Sequence, residues 1–287
     1  MKHFDEPPDR NSLLYWYPEI HDYFETPETW VLSPPNLLNW LSDGIPKVWM
    51  ARIRESLKKN YPVFFRTEHA SNKHEWSKSC VIHHEEEIEG KILNTLYFNK
   101  EVGLWPEHLV FREMLRPYGG PHMKKMGGFQ TFGRFPVSRE LRFFVNHGRV
   151  ECVHRYWAHE VFVLDRWAVR TVPSDWEKRW KKLYTIDRLD IAKISGRIEN
   201  DFSPLLRNDS WSVDFMYARQ THNSLYRWYL IDMAVAKDSY HFDHESDLIS
   251  PDGKNMVLMN RKRERHEMKM QMKREREIVD LGLVPMV

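Results

Sequence analysis

Two carboxylates stand where a carboxylate is expensive. Asp214 interrupts the apolar run Trp211-Ser212-Val213-Asp214-Phe215-Met216-Tyr217, and Asp232 interrupts Tyr229-Leu230-Ile231-Asp232-Met233-Ala234. A charge inside an apolar strand is costly unless something pairs with it. Two such runs joined through a polar stretch around His222-Asn223 read as a hairpin, which brings the two acids side by side. Like charges so placed repel. A divalent cation resolves the repulsion, because hard oxygen ligands suit magnesium and magnesium in turn bridges phosphate oxygens. Ion pairs with neighbouring arginines resolve it equally well.

Cations at other apolar runs bear on that choice. Arg66 closes Tyr61-Pro62-Val63-Phe64-Phe65-Arg66-Thr67, and Lys73 follows in the polar loop Glu68 to His74. Arg112 and Glu113 lie in Leu109-Val110-Phe111-Arg112-Glu113-Met114-Leu115, and Glu140 and Arg142 open Glu140-Leu141-Arg142-Phe143-Phe144-Val145. Guanidinium groups suit planar, bidentate phosphate contacts, and lysine offers a point charge. Taken one at a time, each is an ordinary strand end, solvated or ion-paired; taken together, they suit an anionic ligand.

These residues need elements to hold them. The apolar runs at 61–67, 109–115, 140–146, 211–217 and 228–233 read as strands, with a tight turn at Asn146-His147-Gly148 and a return strand through Tyr156. Helices are expected at Lys47 to Lys59, at 84–97, over much of 174–200 from a Ser174 cap, and in a short turn from an Asn36 cap to Leu41. The Tyr118 to Gly128 segment holds four of the 12 glycines and reads as a mobile excursion, its Gly119-Gly120 and Gly127-Gly128 pairs as hinges. Residues 260–277 read as a charged helix with eight basic residues against four acidic ones. That balance permits a nucleic-acid contact through 261–276, but a solvated helix with Met268 and Met272 packed one turn apart is the preferred reading.

In their order along the chain, from about Val63 to Ser239, these motifs resemble the ATP-grasp superfamily. They look closest to a clade common in phages and their hosts, in which arginine replaces the first nucleotide-binding lysine. They are also similar to the eukaryotic cell-division-cycle ATP-grasp proteins that assemble a translation initiation factor. The resemblance implies an α/β (α+β) fold with ATP held between two lobes. It implies a small N-terminal lobe at 1–48, a first lobe at 49–108, a C-terminal lobe at 109–259 and the charged tail at 260–287. It further implies that Arg66 and Lys73 contact the phosphates, that Arg112, Glu113 and Met114 form the adenine and ribose hinge, and that Glu140 and Arg142 act near the γ-phosphate. Asp214 and Asp232 are the implied Mg2+ ligands. The implied chemistry is an ADP-forming carboxylate–amine ligation through an acyl phosphate, with small-molecule or peptide acceptors. The alternatives are an ATP-binding assembly factor for a protein partner and a scaffold without turnover. One departure stands out: the family's second metal strand reads acid–x–Asn, whereas here Ala234 follows Asp232-Met233, leaving Asp238 or Ser239 to supply the missing ligand.

Composition narrows the field further. The chain has 287 residues, 41% hydrophobic, with 43 basic and 41 acidic side chains, so a general nucleic-acid coat is not expected. Cys80 and Cys152 form no CxxC pair, which argues against a disulfide framework or a zinc ribbon. None of the five His-Glu pairs has a histidine four residues on, and no GxxxxGK[ST] or GxGxxG motif occurs. With no apolar leader and no run near membrane length, a cytoplasmic protein is expected, in the host cytoplasm if phage-encoded.

Overall fold

Strand periodicity places most strands in two antiparallel sheets that face each other, with a separate two-stranded pair, Phe129–Gln130 against Pro136–Val137. The computed structural model describes residues 9–58, 60–72, 75–120, 123–131, 136–159, 162, 172–185, 188–201, 207, 209–239 and 248–249. Lys73, the loop His241 to His244 and the tail 260–287 lie outside the described residues. In chain order the helices are α1 (Leu13–Ile20), α2 (Trp40–Asp43), α3 (Lys47–Leu57), α4 (Trp76–Ser79), α5 (Ile88–Glu101), α6 (Trp176–Leu183) and α7 (Arg188–Asp201). The strands are β1 (Thr29–Leu32), β2 (Val63–Thr67), β3 (Val81–Ile82), β4 (Leu109–Glu113), β5 (Arg116–Pro117), β6 (Phe129–Gln130), β7 (Pro136–Val137), β8 (Glu140–Asn146), β9 (Arg149–Arg155), β10 (Ser210–Arg219), β11 (Arg227–Val235) and β12 (Leu248–Ile249). The fold is α+β.

The first sheet has the order β1-β4-β2-β3. Because side chains alternate along a strand, Val63 and Phe65 share one face with Leu109 and Phe111 and pack on Ile53 and Leu57 of α3 and Ile88, Ile92 and Leu96 of α5. The opposite face carries Phe64, Arg66, Val110 and Arg112. The second sheet has the order β11-β10-β8-β9-β12, with β5 added beside β10. Its apolar face, with Leu141, Phe143, Val153, Val213 and Phe215, packs on Leu13, Trp16 and Ile20 of α1 and on Ile191, Ile194 and Ile198 of α7. Its other face carries Glu140, Arg142, Ser212, Asp214, Met216 and Asp232.

Local details depart from expectation for physical reasons. Asn36 adopts a left-handed conformation, φ 52°, and its side chain caps nothing; its carbonyl accepts from Asn39 instead. Asp175, not Ser174, precedes α6, and its carboxylate pairs with Arg179 at 2.8 Å. The glycines of the 118–128 excursion answer to close packing. A Cβ on Gly128 would stand 0.9 Å from the Gly119 carbonyl oxygen, and one on Gly127 would stand 2.4 Å from that of Arg179. The turn at His147-Gly148 has positive φ at both residues, 48° and 76°, as a two-residue hairpin requires.

Helix α1 and strand β1 were not foreseen, since Pro18 interrupts the helical reading of the aromatic segment that contains it. The described residues up to 48 are shared between the sheets: α1 seals the second, and β1 extends the first. Trp16 is fully buried, and its indole N–H has no partner among the described residues. Trp16→Ala should therefore cost about 3–5 kcal/mol through cavity formation. Trp16→Phe should cost clearly less, because it forfeits no hydrogen bond. Urea denaturation of the two variants checks this.

Candidate functional site

The polar faces of the two sheets meet in a cavity whose lining residues come from both. Arg66 and Phe64 reach it from β2, Arg112 and Glu113 from β4, and Met114 and Leu115 from the segment after β4. Glu140 comes from the start of β8, Met216 from β10, and Ile231 and Asp232 from β11. Six of the nine residues singled out from the sequence thus line one cavity: Arg66, Arg112, Glu113, Met114, Glu140 and Asp232. Arg142 and Asp214 lie beside them in the second sheet, and Lys73 is outside the described residues.

The two aspartates are directly opposite each other in the β10–β11 register, and Arg142 stands directly opposite Asp214 on β8. One row across three strands therefore reads Arg142, Asp214, Asp232. Arg142 grips Asp214 with two hydrogen bonds, Nε to Oδ1 at 2.7 Å and Nη2 to Oδ2 at 2.8 Å. Arg66 crosses from the first sheet and donates from Nη1 to Asp232 Oδ1 at 2.8 Å. Both acids are thus paired with arginines, and among the described residues no group of three or more His, Cys, Asp or Glu is arranged to hold a metal ion. Burial opposes the charge on Arg142, but the Asp214 carboxylate more than offsets it and raises the guanidinium above its ordinary value.

Arg112 is held differently. It donates from Nε to Thr29 Oγ1 at 3.2 Å and from Nη1 to the Ile231 carbonyl, while Nη2 is buried with no partner. Burial first, and the neighbouring Arg66 charge second, lower its pKa to about 10. The carbonyl that it reaches belongs to a bulge: Asp232 pairs with Asp214 but Leu230 pairs with Phe215, so Ile231 is the surplus residue and its ladder bonds are disrupted. Glu140 accepts from Ser138 Oγ and from Trp157 Nε1 at 3.3 Å, and Glu113 accepts from Gln220 Nε2 at 3.0 Å.

No protein-family model matches the chain, and no curated protein matches it. Among solved structures it is similar to C-terminally truncated Cdc123 from Schizosaccharomyces pombe, at 14% identity and TM-score 0.45, over 79% of this chain and 83% of that one. It is similar to a RimK domain ATP-grasp protein from Sphaerobacter thermophilus, at 9% and 0.42, over 80% and 60%. It is also similar to the D-alanine–D-alanine ligase from Coxiella burnetii, at 11% and 0.42, over 79% and 47%. The chain thus spans most of Cdc123 but less than two thirds of either ligase-type structure. One of these structures is described as ATP-grasp; the residues themselves carry the functional reading.

The apolar walls of the cavity went unmarked in the sequence. Phe64 and Met216 were accessible to strand periodicity, each standing two residues from a charge on the same face. Trp76, whose ring lies 5.5 Å from that of Phe64, arrives from a separate helix that no local pattern links to the cavity. Ile231 enters only because of the bulge.

Asp214→Ala leaves Arg142 buried without its carboxylate and should cost about 3–5 kcal/mol; an Arg142→Met, Asp214→Leu double variant should recover most of that, as read by urea denaturation. A second expectation concerns Cys152, two residues from His154 on β9. Burial first, and Glu151 second, raise its thiol from 9.0 to about 12. The contribution of this thiol to stability is complete below pH 9 and is lost as pH rises toward 12, because only the unfolded chain releases its proton in that window. Denaturation midpoints should therefore fall more steeply above about pH 9 in the parent chain than in Cys152→Ala.

Proposed function

We propose that the chain is an ATP- and magnesium-dependent, ADP-forming ligase that joins a carboxylate to an amine. The observation that carries the proposal is Arg112, a buried guanidinium with an unpartnered N–H on the wall of a cavity between two sheets. An orphaned buried donor is costly unless a ligand uses it. Phosphate oxygens suit it.

The remaining residues fit a nucleotide. Phe64, Trp76, Leu115, Met216 and Ile231 give an apolar slot for a purine, beside the backbone of Glu113, Met114 and Leu115. On this reading Glu113 meets the ribose hydroxyls and Arg66, Arg112 and Arg142 meet the phosphates, with Lys73 assigned to them from the sequence. Formally, these three arginines balance Asp214, Asp232 and Glu140. That leaves the charge of a triphosphate for a divalent cation to offset in part, and two carboxylates directly opposite each other are suited to hold one. Binding would then exchange carboxylate for phosphate at Arg66 and Arg142. Bound MgATP supplies the phosphoryl group that activates the acceptor carboxylate. The protein positions the reactants, neutralises charge and screens the site from water. Glu140 and Arg142 are assigned beside the γ-phosphate.

One observation favours the second reading, an ATP-binding assembly factor acting on a protein partner. Ala234 stands where an amide ligand is expected, opposite Ser212. Ser212 Oγ is within 2.5 Å of Ser239 Oγ, so a hydroxyl pair occupies that neighbourhood, while Asp238 is exposed and accepts from Asn11. A weaker second metal position would suit binding more than turnover.

Calorimetry with ATP, with and without magnesium, tests both readings. ATP should bind only with the divalent cation, and Asp232→Asn should remove most of the metal-dependent affinity. Arg112→Met should weaken ATP binding by about 1.5–3 kcal/mol, the range for a hydrogen bond to a charged group. The same variant leaves the Ile231 carbonyl and the Thr29 hydroxyl without that donor, so urea denaturation is used to confirm its fold before affinities are compared. A ligase releases ADP only when both acceptors are present, whereas an assembly factor binds ATP without acceptor-dependent turnover. Undiminished ATP affinity in Arg112→Met would overturn the nucleotide assignment.

A further inference from the structure

A second, wider cleft of about 1000 Å³ shares Glu113, Met114 and Leu115 with the nucleotide slot and runs outward to Arg116, Arg219 and His222. Strand β5 lies against the end of β10, which sets Arg116 directly opposite Arg219. Arg116 Nη1 stands 2.9 Å from His222 Nε2, and Arg219 Nη2 stands 3.3 Å from His222 Nδ1. Arg219 also donates to the His222 carbonyl at 2.6 Å, and its guanidinium lies 4.9 Å from the centre of the Tyr226 ring.

This arrangement is chemically incomplete. A guanidinium only donates, and a neutral imidazole accepts at one nitrogen alone. With a guanidinium against each ring nitrogen, one of the two contacts sets donor against donor in either tautomer, and protonating the ring adds a third positive charge. Among the described residues no carboxylate pairs with Arg116 or Arg219, and Arg219 Nε is buried without a partner. Gln220, between Arg219 and the turn, is held by Glu113 instead. An oxyanion accepting from both guanidiniums removes the conflict and satisfies the orphaned donor.

We propose that Arg116, Arg219 and His222 form an oxyanion-binding subsite at the outer mouth of the cleft, taking a phosphate or carboxylate group of a ligand other than the nucleotide's own triphosphate. Arg116 and Arg219 clamp the anion, and His222 donates to it. The subsite requires neither ligase chemistry nor ATP binding, so it stands or falls apart from the reading above.

The test follows the His222 ring signals by NMR of 13C/15N-histidine-labelled protein, assigned with His222→Gln, during titration with inorganic phosphate, acetate or chloride. The His222 signals should shift saturably with phosphate or acetate. The midpoint should be at least about tenfold weaker in Arg116→Ala and in Arg219→Ala, the loss of one charge-assisted hydrogen bond. Arg116 is exposed, and its one side-chain hydrogen bond among the described residues is to His222, so Arg116→Ala should fold normally and is the deciding variant. Tighter binding of phosphate assigns a phosphate ester as the ligand group, and tighter binding of acetate assigns a carboxylate. No shift at His222, a midpoint unchanged in Arg116→Ala, or an equal response to chloride would overturn the proposal.

Discussion

Arg66 and Asp232 meet across the gap between two sheets, and each answers a problem that its own sheet leaves open. Arg66 is 4% exposed on a strand with no acid beside it, and Asp232 is pressed against Asp214 by the hairpin register. A buried charge must be paired or pay several kcal/mol. Arg112 makes the same crossing to the Ile231 carbonyl. The seam between the sheets is therefore polar at the site and apolar where Val110 joins the core of the second sheet. Such pairs add little net stability over apolar packing, but they fix which surfaces face each other.

The transverse row is balanced in charge. Arg142, Asp214, Asp232 and Arg66 run as cation, acid, acid, cation across the seam. The outer arginines neutralise the central acids in the protein alone. On the proposed reading, an anionic ligand with its own cation takes over both partnerships, and one register serves the ion-pair network and the ligand.

Much of this was legible because charge inside an apolar strand is conspicuous and alternation assigns its face. Asp214, Asp232, Arg66, Arg112 and Glu140 were found that way, and the hairpin pairing of the two acids followed from the polar turn between their runs. What escaped depends on tertiary contact. Helix α1 forms despite Pro18 because its aromatic face has the second sheet to cover. Strand β1 exists because β4 offers it an edge, and Trp76 reaches the cavity from a short helix remote in sequence from β10 and β11. The sequence alone left two answers to the crowding of the acids, a metal ion or arginine partners. The structure displays the arginines, one of them from a strand 166 residues away in the chain.

The surplus residue at Ile231 carries a consequence for how such a hairpin can change over generations. Substitutions at most apolar positions of β10 and β11 exchange one packing for another, but removing a single codon at 231 would close the ladder into a regular ribbon. That ribbon would be the better isolated hairpin. It would also remove the carbonyl that Arg112 uses, while Leu230 would stay opposite Phe215 and both strands would keep their faces. That single deletion therefore gives up Arg112's carbonyl partner and one wall of the cleft for a tidier sheet, with every other pairing kept.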